Sequence, residues 1–238
     1  MKKLILSPLF CFALLSLHAQ DTWNVQMPSF WPYHLGKTND GNLLLVGRKA
    51  TVLPGFNKGS HYMIKYNLNG ELLWEKEHDF GFSDTSVGQS GGVYAPHTLI
   101  QAPSGNFISS GLYNESGVSY CYNFITNEQG DSLFFQKLTE NCIAPKYLID
   151  NKLYQTRGIG STGHIRILEI NENLEIINET VLENSNEYFA RSIIDQELNA
   201  YTHRADYGEA RFRKYSIDGE LLYDQTHEQP LGNSGSTS

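Results

Sequence analysis

The sequence predicts an all-β fold built from a recurring unit of four short strands. The first observation is a repeat: residues 65–74 (Lys-Tyr-Asn-Leu-Asn-Gly-Glu-Leu-Leu-Trp) return as residues 214–223, with six identical positions at an offset of 149. The second is alternation, because stretches such as 164–170 alternate polar and apolar side chains with the period of two that strands require. No stretch after residue 19 shows the 3.6-residue period of an amphipathic helix.

Turn residues set the length of the repeating unit. Gly70, Gly130, Asn173 and Gly219 occupy the turn positions of four copies, and they are 60, 43 and 46 residues apart. Periods of about 40–50 residues with several strands per unit are typical of β-propellers, in which four-stranded blades surround an axis. We therefore predict four antiparallel blades, at approximately residues 30–79, 97–139, 144–182 and 187–228.

Each unit divides into two hairpins. In the first unit Asp40-Gly41 and Asn69-Gly70 lie between apolar runs, where glycine supplies the positive φ of a tight turn. Longer connections are expected at Leu53–Ser60, within the first unit, and at Phe80–Ala95, before the second. The predicted strands are 33–37, 43–46, 62–68, 72–75, 98–101, 107–112, 120–126, 133–138, 146–149, 153–156, 165–170, 174–181, 189–194, 198–203, 210–217 and 221–225.

The first residues have the layout of a secretory signal peptide. Lys2 and Lys3 precede an apolar run that ends at Leu17, and Ala19 is a small residue before a polar stretch. The run is shorter than the roughly 20 apolar residues that span a bilayer, and no later segment is longer, which disfavours a membrane span. We expect cleavage after residues 1–19, an N-terminal segment at 20–29, and export to the periplasm, cell surface or extracellular space.

Composition and cysteine count narrow the function further. Without residues 1–19 the chain has 219 residues, a net charge of −10 and no lysine and arginine cluster, which excludes nucleic acid as a partner because phosphate contacts require basic side chains. Two cysteines remain, Cys121 and Cys142, and an oxidising compartment permits a disulfide between them; two separate buried thiols are the alternative. No cysteine or histidine spacing indicates a metal site, and no motif indicates a cofactor.

The first and fourth copies of the repeat are the best kept. The first reads Asp40-Gly-Asn-Leu-Leu-Leu-Val-Gly47 and then Met63-Ile-Lys-Tyr-Asn-Leu-Asn-Gly-Glu-Leu-Leu-Trp74-Glu-Lys. This pattern resembles the repeat of secreted Bacteroidetes-type β-propeller proteins, and the similarity covers roughly residues 30–228. In the third copy Ile177 replaces the aromatic residue and Asn173 the glycine. The resemblance implies a propeller fold and export, and it implies no activity.

The C-terminal residues bear on how many blades the protein has. Many proteins with this repeat carry a sorting domain for type IX secretion, which is absent here. Residues 229–238 are a Gly/Ser-rich tail similar to the loop at 80–92, which leads from the first unit into the second. We therefore expect this chain to be part of a larger propeller. A closed ring of four blades is the alternative.

Two motifs match catalytic or cofactor signatures without the required context. Residues 88–92 (Gly-Gln-Ser-Gly-Gly) match a nucleophile elbow, which needs a strand before the serine and a helix after it, whereas here Pro96 follows and a flexible loop is expected. Residues 158–163 match a dinucleotide-binding fingerprint, but a strand pattern follows instead of a helix. Neither motif supports an enzyme assignment.

A ligand is expected on the face of the propeller that carries the long connections, since long loops on rigid scaffolds commonly bind ligands. Exposed aromatic side chains beside hydrogen-bonding groups would suit a glycan or a protein. The alternative is that these aromatic side chains pack between blades. The predicted binding residues are the aromatic Trp31, Phe56, Phe82 and Tyr94 and the polar Asn57, Lys58 and Asp84.

The leading functional prediction is a secreted, non-catalytic binding or scaffold protein with a glycan or protein partner at the cell surface. One alternative is a propeller-type enzyme such as a glycoside hydrolase or lyase. Such an enzyme needs two convergent carboxylates, and the predicted inner strands at 33–37, 98–101 and 146–149 contain no acid. The other alternative is a truncated gene product without independent function.

Overall fold

The computed structural model describes residues 29–53, 56–80, 90–115, 118–138, 144–159, 164–182, 191–206 and 209–228. These residues form sixteen β-strands and no helix, so the all-β prediction is confirmed. A strand occupies each predicted position, although the ends differ by a few residues. Among the described residues no helix could cross a membrane. The predicted signal peptide, nearly all of the N-terminal segment and the tail lie outside these ranges.

The strands form four antiparallel units of four, which we call blades 1 to 4 in chain order. Blade 1 contains β1 (Phe30–Lys37), β2 (Leu43–Leu53), β3 (Phe56–Tyr66) and β4 (Leu72–His78). Blade 2 contains β5 (Ser90–Gln101), β6 (Phe107–Glu115), β7 (Val118–Thr126) and β8 (Ser132–Leu138). Blade 3 contains β9 (Tyr147–Ile149), β10 (Lys152–Ile159), β11 (His164–Ile170) and β12 (Ile176–Val181). Blade 4 contains β13 (Arg191–Ile194), β14 (Ala200–Asp206), β15 (Glu209–Tyr215) and β16 (Leu221–Glu228).

Every blade is a meander in which each strand pairs with the next, as in a propeller. Blades 1 and 2 are also joined directly, because residues 57–59 of β3 pair in parallel with residues 90–92 of β5, and the two blades thus form one eight-stranded sheet. Among the described residues no strand of blade 4 pairs with a strand of blade 1. Strand pairing among the described residues therefore does not close the four blades into one continuous sheet.

Each blade has two hairpin turns at one end, between its first and second strands and between its third and fourth strands, and we call this end the turn end. Seven of these eight turns share one chemistry. Each has a three-residue loop that closes on a residue of positive φ, such as Gly70 at 82°. In the third-to-fourth-strand turn of blade 1, the Asn67 side-chain oxygen accepts the backbone N–H groups of Asn69 and Glu71, both at 2.9 Å. Such local bonds favour turns over continued strand. The exception is the two-residue turn at Asp150-Asn151.

The turn of blade 3 corrects the sequence prediction. Asn173 was expected at the glycine position, but the backbone places Leu174 there, with φ at 65° and its N–H donated to the Asn171 carbonyl at 3.0 Å. Leucine rarely adopts this conformation because its Cβ crowds the backbone. The side chain is nevertheless buried between blades 2 and 3, so packing holds it there. Leu198 occupies the glycine position of another turn in the same way.

The predicted bounds of two loops are wrong. Leu53–Ser60 was expected to be a loop, but β2 and β3 continue as a hairpin in which Leu53 pairs with Phe56. Phe80–Ala95 was expected to be a link between blades, but residues 90–95 belong to β5. Both segments contain glycine and polar residues that suggested loops, and pairing with a neighbouring strand overrides that local preference.

Each blade packs its face against the next blade. The clusters bury the alternate, inward-facing side chains of the strands, as a period of two requires. Blades 1 and 2 enclose Leu44, Val46, Met63, Val93, Phe107, Tyr113, Tyr122 and Phe124. Blades 2 and 3 enclose Ala102, Ile108, Ile125, Leu153, Leu168, Ile170 and Leu174. Blades 3 and 4 enclose Ile149, Tyr154, Ile165, Ile167, Leu182, Ile194, Ala200 and Tyr215.

A polar group sits inside the first of these interfaces. His61 of β3 is completely buried, and its ring nitrogens are hydrogen-bonded to the Tyr122 hydroxyl at 2.9 Å and the Ser109 hydroxyl at 3.3 Å. Phe124 lies edge-on to the imidazole at 5.1 Å between ring centres. Burial lowers the pKa of His61 to about 3, and the nearby His78 lowers it further. The histidine therefore serves as a neutral hydrogen-bonding link between blades.

The cysteine prediction is partly addressed. Cys121, on β7, is disulfide-bonded. Cys142 lies outside the described residues. The pairing of the two remains a prediction.

Candidate functional site

The predicted binding residues fall largely on one end of blades 1 and 2. This end, opposite the turn end, is called the loop end. The parallel pairing of β3 with β5 places the backbones of Asn57 and Lys58 opposite Ser90 and Gly91, four and three residues before Tyr94, and Phe56 precedes Asn57 on β3. Trp31 lies near the start of β1 and therefore at the same end of blade 1. The structure thus brings five predicted residues onto neighbouring strands at one end.

Phe82 and Asp84 lie outside the described residues, as do the side chains of Phe56, Asn57 and Tyr94. The side chains of Trp31 and Lys58 are described. The site can therefore be built upward from these two side chains and from what surrounds them.

Trp31 is an exposed aromatic residue at this end. Half of its surface is open to solvent, and the Arg48 guanidinium lies 5.5 Å from the centre of its ring. The contact follows from register, because Trp31 on β1 is directly opposite Arg48 on β2. A cation over an indole face is attracted by the ring quadrupole, which holds the two side chains together.

Arg48 is the residue that sequence reasoning missed. Its Nε is buried without a hydrogen-bond partner, and among the described residues no carboxylate forms an ion pair with it. The side chain passes over Gly59, where an added Cβ would lie 2.6 Å from the Arg48 Nε and 2.2 Å from the Val93 carbonyl oxygen. Only glycine fits here, so Gly59 opens the space that Arg48 occupies. The position of Arg48 opposite an exposed tryptophan depends on strand register, which composition does not reveal.

The two lysines nearby differ from Arg48. Lys58 forms an ion pair with Asp79, and Lys49 forms one with Glu77 at 2.8 Å. Both charges are thus matched within blade 1, and the second pair lowers the pKa of Glu77 despite partial burial that raises it. Among the three described cations Arg48, Lys49 and Lys58, Arg48 is therefore the one without an ion pair to a described carboxylate.

A second exposed surface lies on blade 4. The face of this blade that points away from blade 3 carries apolar and aromatic side chains around a shallow cavity of about 370 Å³. Ile193 is 57% exposed and Phe212 44% exposed, although both are large and apolar. The lining residues are Ser192, Ile193, Tyr201, Thr202, His203 and Phe212.

A second cavity, of about 260 Å³, lies at the turn end where β1 and β5 approach each other. Its polar side is already committed to the fold, because the Gln101 side-chain oxygen accepts the Asn39 N–H at 2.6 Å and its amide donates to the Gly105 carbonyl at 2.8 Å. Its floor is formed by apolar side chains such as Leu99 and Phe107. We regard it as a gap between blades.

The described residues of the two motifs with catalytic or cofactor signatures, 90–92 and 158–159, lie in strands. Ser90 begins β5, which continues as a strand through Pro96, so the strand–turn–helix geometry of a nucleophile elbow is not formed. Ile159 ends β10 and His164 begins β11, so a strand follows the glycines of the second motif. Within the described ranges no group of three or more His, Cys, Asp and Glu side chains could hold a metal ion.

Comparison with known proteins adds little to this picture. No protein-family model matches the sequence, and no curated protein matches it. Twenty-four chains of solved structures match, including one titled "Crystal structure of the eukaryotic initiation factor" with 10% sequence identity and a TM-score of 0.41. That match covers 85% of this chain and 56% of the other, so this chain spans little more than half of its length.

Proposed function

We propose that this protein is an exported, non-catalytic binding or scaffold protein of the β-propeller type, and that it binds its ligand at the loop end of blades 1 and 2. The observation that supports this most strongly is the half-exposed Trp31 with the Arg48 guanidinium against its ring. A rigid sheet holds both side chains, so the site needs little ordering when a ligand binds.

The chemistry of the pair favours an anionic glycan as the ligand. The open face of an indole ring stacks on the apolar side of a sugar, while a guanidinium donates two parallel hydrogen bonds to a carboxylate. Arg48 lacks a carboxylate partner among the described residues, whereas Lys49 and Lys58 are already paired. A uronic-acid polymer would bind both side chains, with a sugar face on Trp31 and a carboxylate on Arg48. A protein ligand would instead present an acidic side chain to Arg48.

The proposal is tested on a glycan array with the secreted chain. We expect binding to carboxylated glycans that Trp31→Ala and Arg48→Met each weaken at least about tenfold, which corresponds to about 1.4 kcal/mol. Leu35→Ala is the matched control, since Leu35 is an exposed residue of the same strand outside the site. Binding that survives both substitutions would refute the site, and cleavage of the bound glycan would refute the non-catalytic assignment.

Export is tested separately. Amino-terminal sequencing of the protein recovered from the periplasm or medium should begin at Gln20. A cytoplasmic protein that retains Lys2 and Lys3 would contradict it.

A further inference from the structure

The face of blade 4 that points away from blade 3 exposes more apolar surface than is usual for a sheet face in contact with solvent. The face is formed by alternate residues of its strands, including Tyr201, Phe212, Lys214 and Tyr223. Its centre is aromatic: the Phe212 ring lies 4.7 Å from the His203 ring and 6.0 Å from the His227 ring. Exposed apolar patches of this kind usually mark an interaction surface.

The repeat shows which surface this is. The offset of 149 relates Phe212 to Met63, and the strand registers agree, because Tyr215 lies opposite Ala200 as Tyr66 lies opposite Leu43. The positions on blade 1 that correspond to the exposed face of blade 4 include Leu44, Val46, His61, Met63, Lys65, Trp74, Lys76 and His78. On blade 1 this is the face covered by blade 2, and Met63 is buried there.

The contacts that blade 2 makes with that face show which residues an occupant of the equivalent face on blade 4 would need. The turn glycine Gly130 lies against Trp74, so that an added Cβ would be 2.8 Å from the indole. The residue after it, Asp131, accepts a charge-assisted hydrogen bond from Lys76 at 2.8 Å. The Phe107 ring lies 6.4 Å from the Trp74 ring. The occupant therefore supplies a turn glycine, an acid and an aromatic side chain.

The interface between blades 3 and 4 repeats part of this arrangement. The turn glycine of blade 4, Gly219, lies over the fourth strand of blade 3, with an added Cβ at 3.3 Å from Thr180 and 3.2 Å from the Val181 carbonyl oxygen. In both interfaces, a turn glycine of one blade therefore contacts the fourth strand of the preceding blade. On blade 4 the corresponding strand is β16, where Tyr223 stands in the position of Trp74 and is half exposed.

We propose that the exposed face of blade 4 is an inter-blade face whose occupant is a further four-stranded blade of the same repeat. Continuity with the three interfaces described above carries this assignment: the same strand positions that receive blade 2 on blade 1 are open on blade 4. The position of Lys76 is Gln225 on blade 4, so the basic group of this face is instead Lys214, the counterpart of Lys65, held over the Tyr201 ring at 5.4 Å. The proposal is independent of the ligand site at Trp31.

The test extends residues 1–228 by one blade. Residue 229 is the repeat equivalent of residue 80, so a second copy of residues 80–138 is joined after residue 228. If the added blade docks, Phe212 becomes buried. Phe212→Lys should then lower the melting temperature of the extended chain by about 5 °C or more, but that of the original chain by less than about 2 °C. Ile177→Lys, at another exposed position on blade 3, should have the same small effect in both chains.

Two results would overturn the proposal. In one, Phe212→Lys has the same small effect in both chains and the added blade melts separately, which shows that it does not dock. In the other, sedimentation velocity shows self-association of the original chain that Phe212→Lys abolishes while the added blade fails to dock. The face would then bind a second copy of the chain. Loss of glycan binding at Trp31 would leave both readouts unchanged, so failure of the proposed function and failure of this proposal are separable.

Discussion

Acidification should destabilise the interface between blades 1 and 2 through His61. The unfolded chain binds a proton at this side chain near pH 6.5, whereas the buried, hydrogen-bonded ring has a pKa of about 3. Between these values the unfolded state holds more protons, so the stability supplied by neutral His61 is complete above pH 6.5 and declines as the pH falls towards 3. Each pKa unit is worth about 1.4 kcal/mol, so a change from pH 7 to pH 5 costs about 2 kcal/mol from this group.

The measurement is the free energy of unfolding in urea at pH 7, 6 and 5, for the original chain and His61→Gln. Glutamine keeps a hydrogen-bonding side chain but does not titrate, so this variant should lose about 2 kcal/mol less over that range. Phe124→Leu is the control, because it weakens the same interface and retains the histidine. An equal pH dependence in His61→Gln and the original chain would show that His61 does not carry the effect.

Two further predictions concern the turns. Leu174→Gly removes the strain of a left-handed leucine, which should raise the free energy of unfolding by about 1 kcal/mol. It also removes a side chain that is only 5% exposed, which should lower that free energy by about 2–5 kcal/mol. Urea unfolding should therefore show a net loss of stability, and a net gain would contradict the packing argument. Gly130→Ala and Gly41→Ala both place alanine at positive φ, but of the two only Gly130 has side chains within contact, those of Trp74 and Lys76 on the neighbouring blade. Differential scanning calorimetry should show the larger fall in melting temperature for Gly130→Ala, and equal falls would refute the inter-blade contact.

Strand positions were predictable because the signals are local. The pairs Asp40-Gly41 and Asn69-Gly70 predict turns, and Gly41 and Gly70 have the positive φ that the pattern requires. The blade 3 turn was misplaced by one residue because Asn is a better left-handed residue than Leu on local grounds. Burial of Leu174 between two blades decided the outcome, and burial between blades is not visible in a single strand pattern.

The candidate site was predictable in outline only. The choice of Trp31 and Lys58 followed from aromatic and polar residues near expected loops, and the structure places both at the loop end of blade 1. Arg48 was missed because it belongs to a strand rather than a loop, and its contact with Trp31 depends on cross-strand register. The opposite error concerns residues 53–60, whose composition indicates a loop, whereas Leu53 pairs with Phe56 in a hairpin.

The short parallel bridge between β3 and β5 has a consequence for how the molecule opens. In arrays whose units contact only their neighbours, each interface contributes separately to stability, and local unfolding begins at the least stable end. Here backbone hydrogen bonds fasten the first junction, while the described strands of blades 2, 3 and 4 belong to separate sheets. Amide protons of blade 4 should therefore exchange with solvent before those of blades 1 and 2, which open together as a single cooperative body.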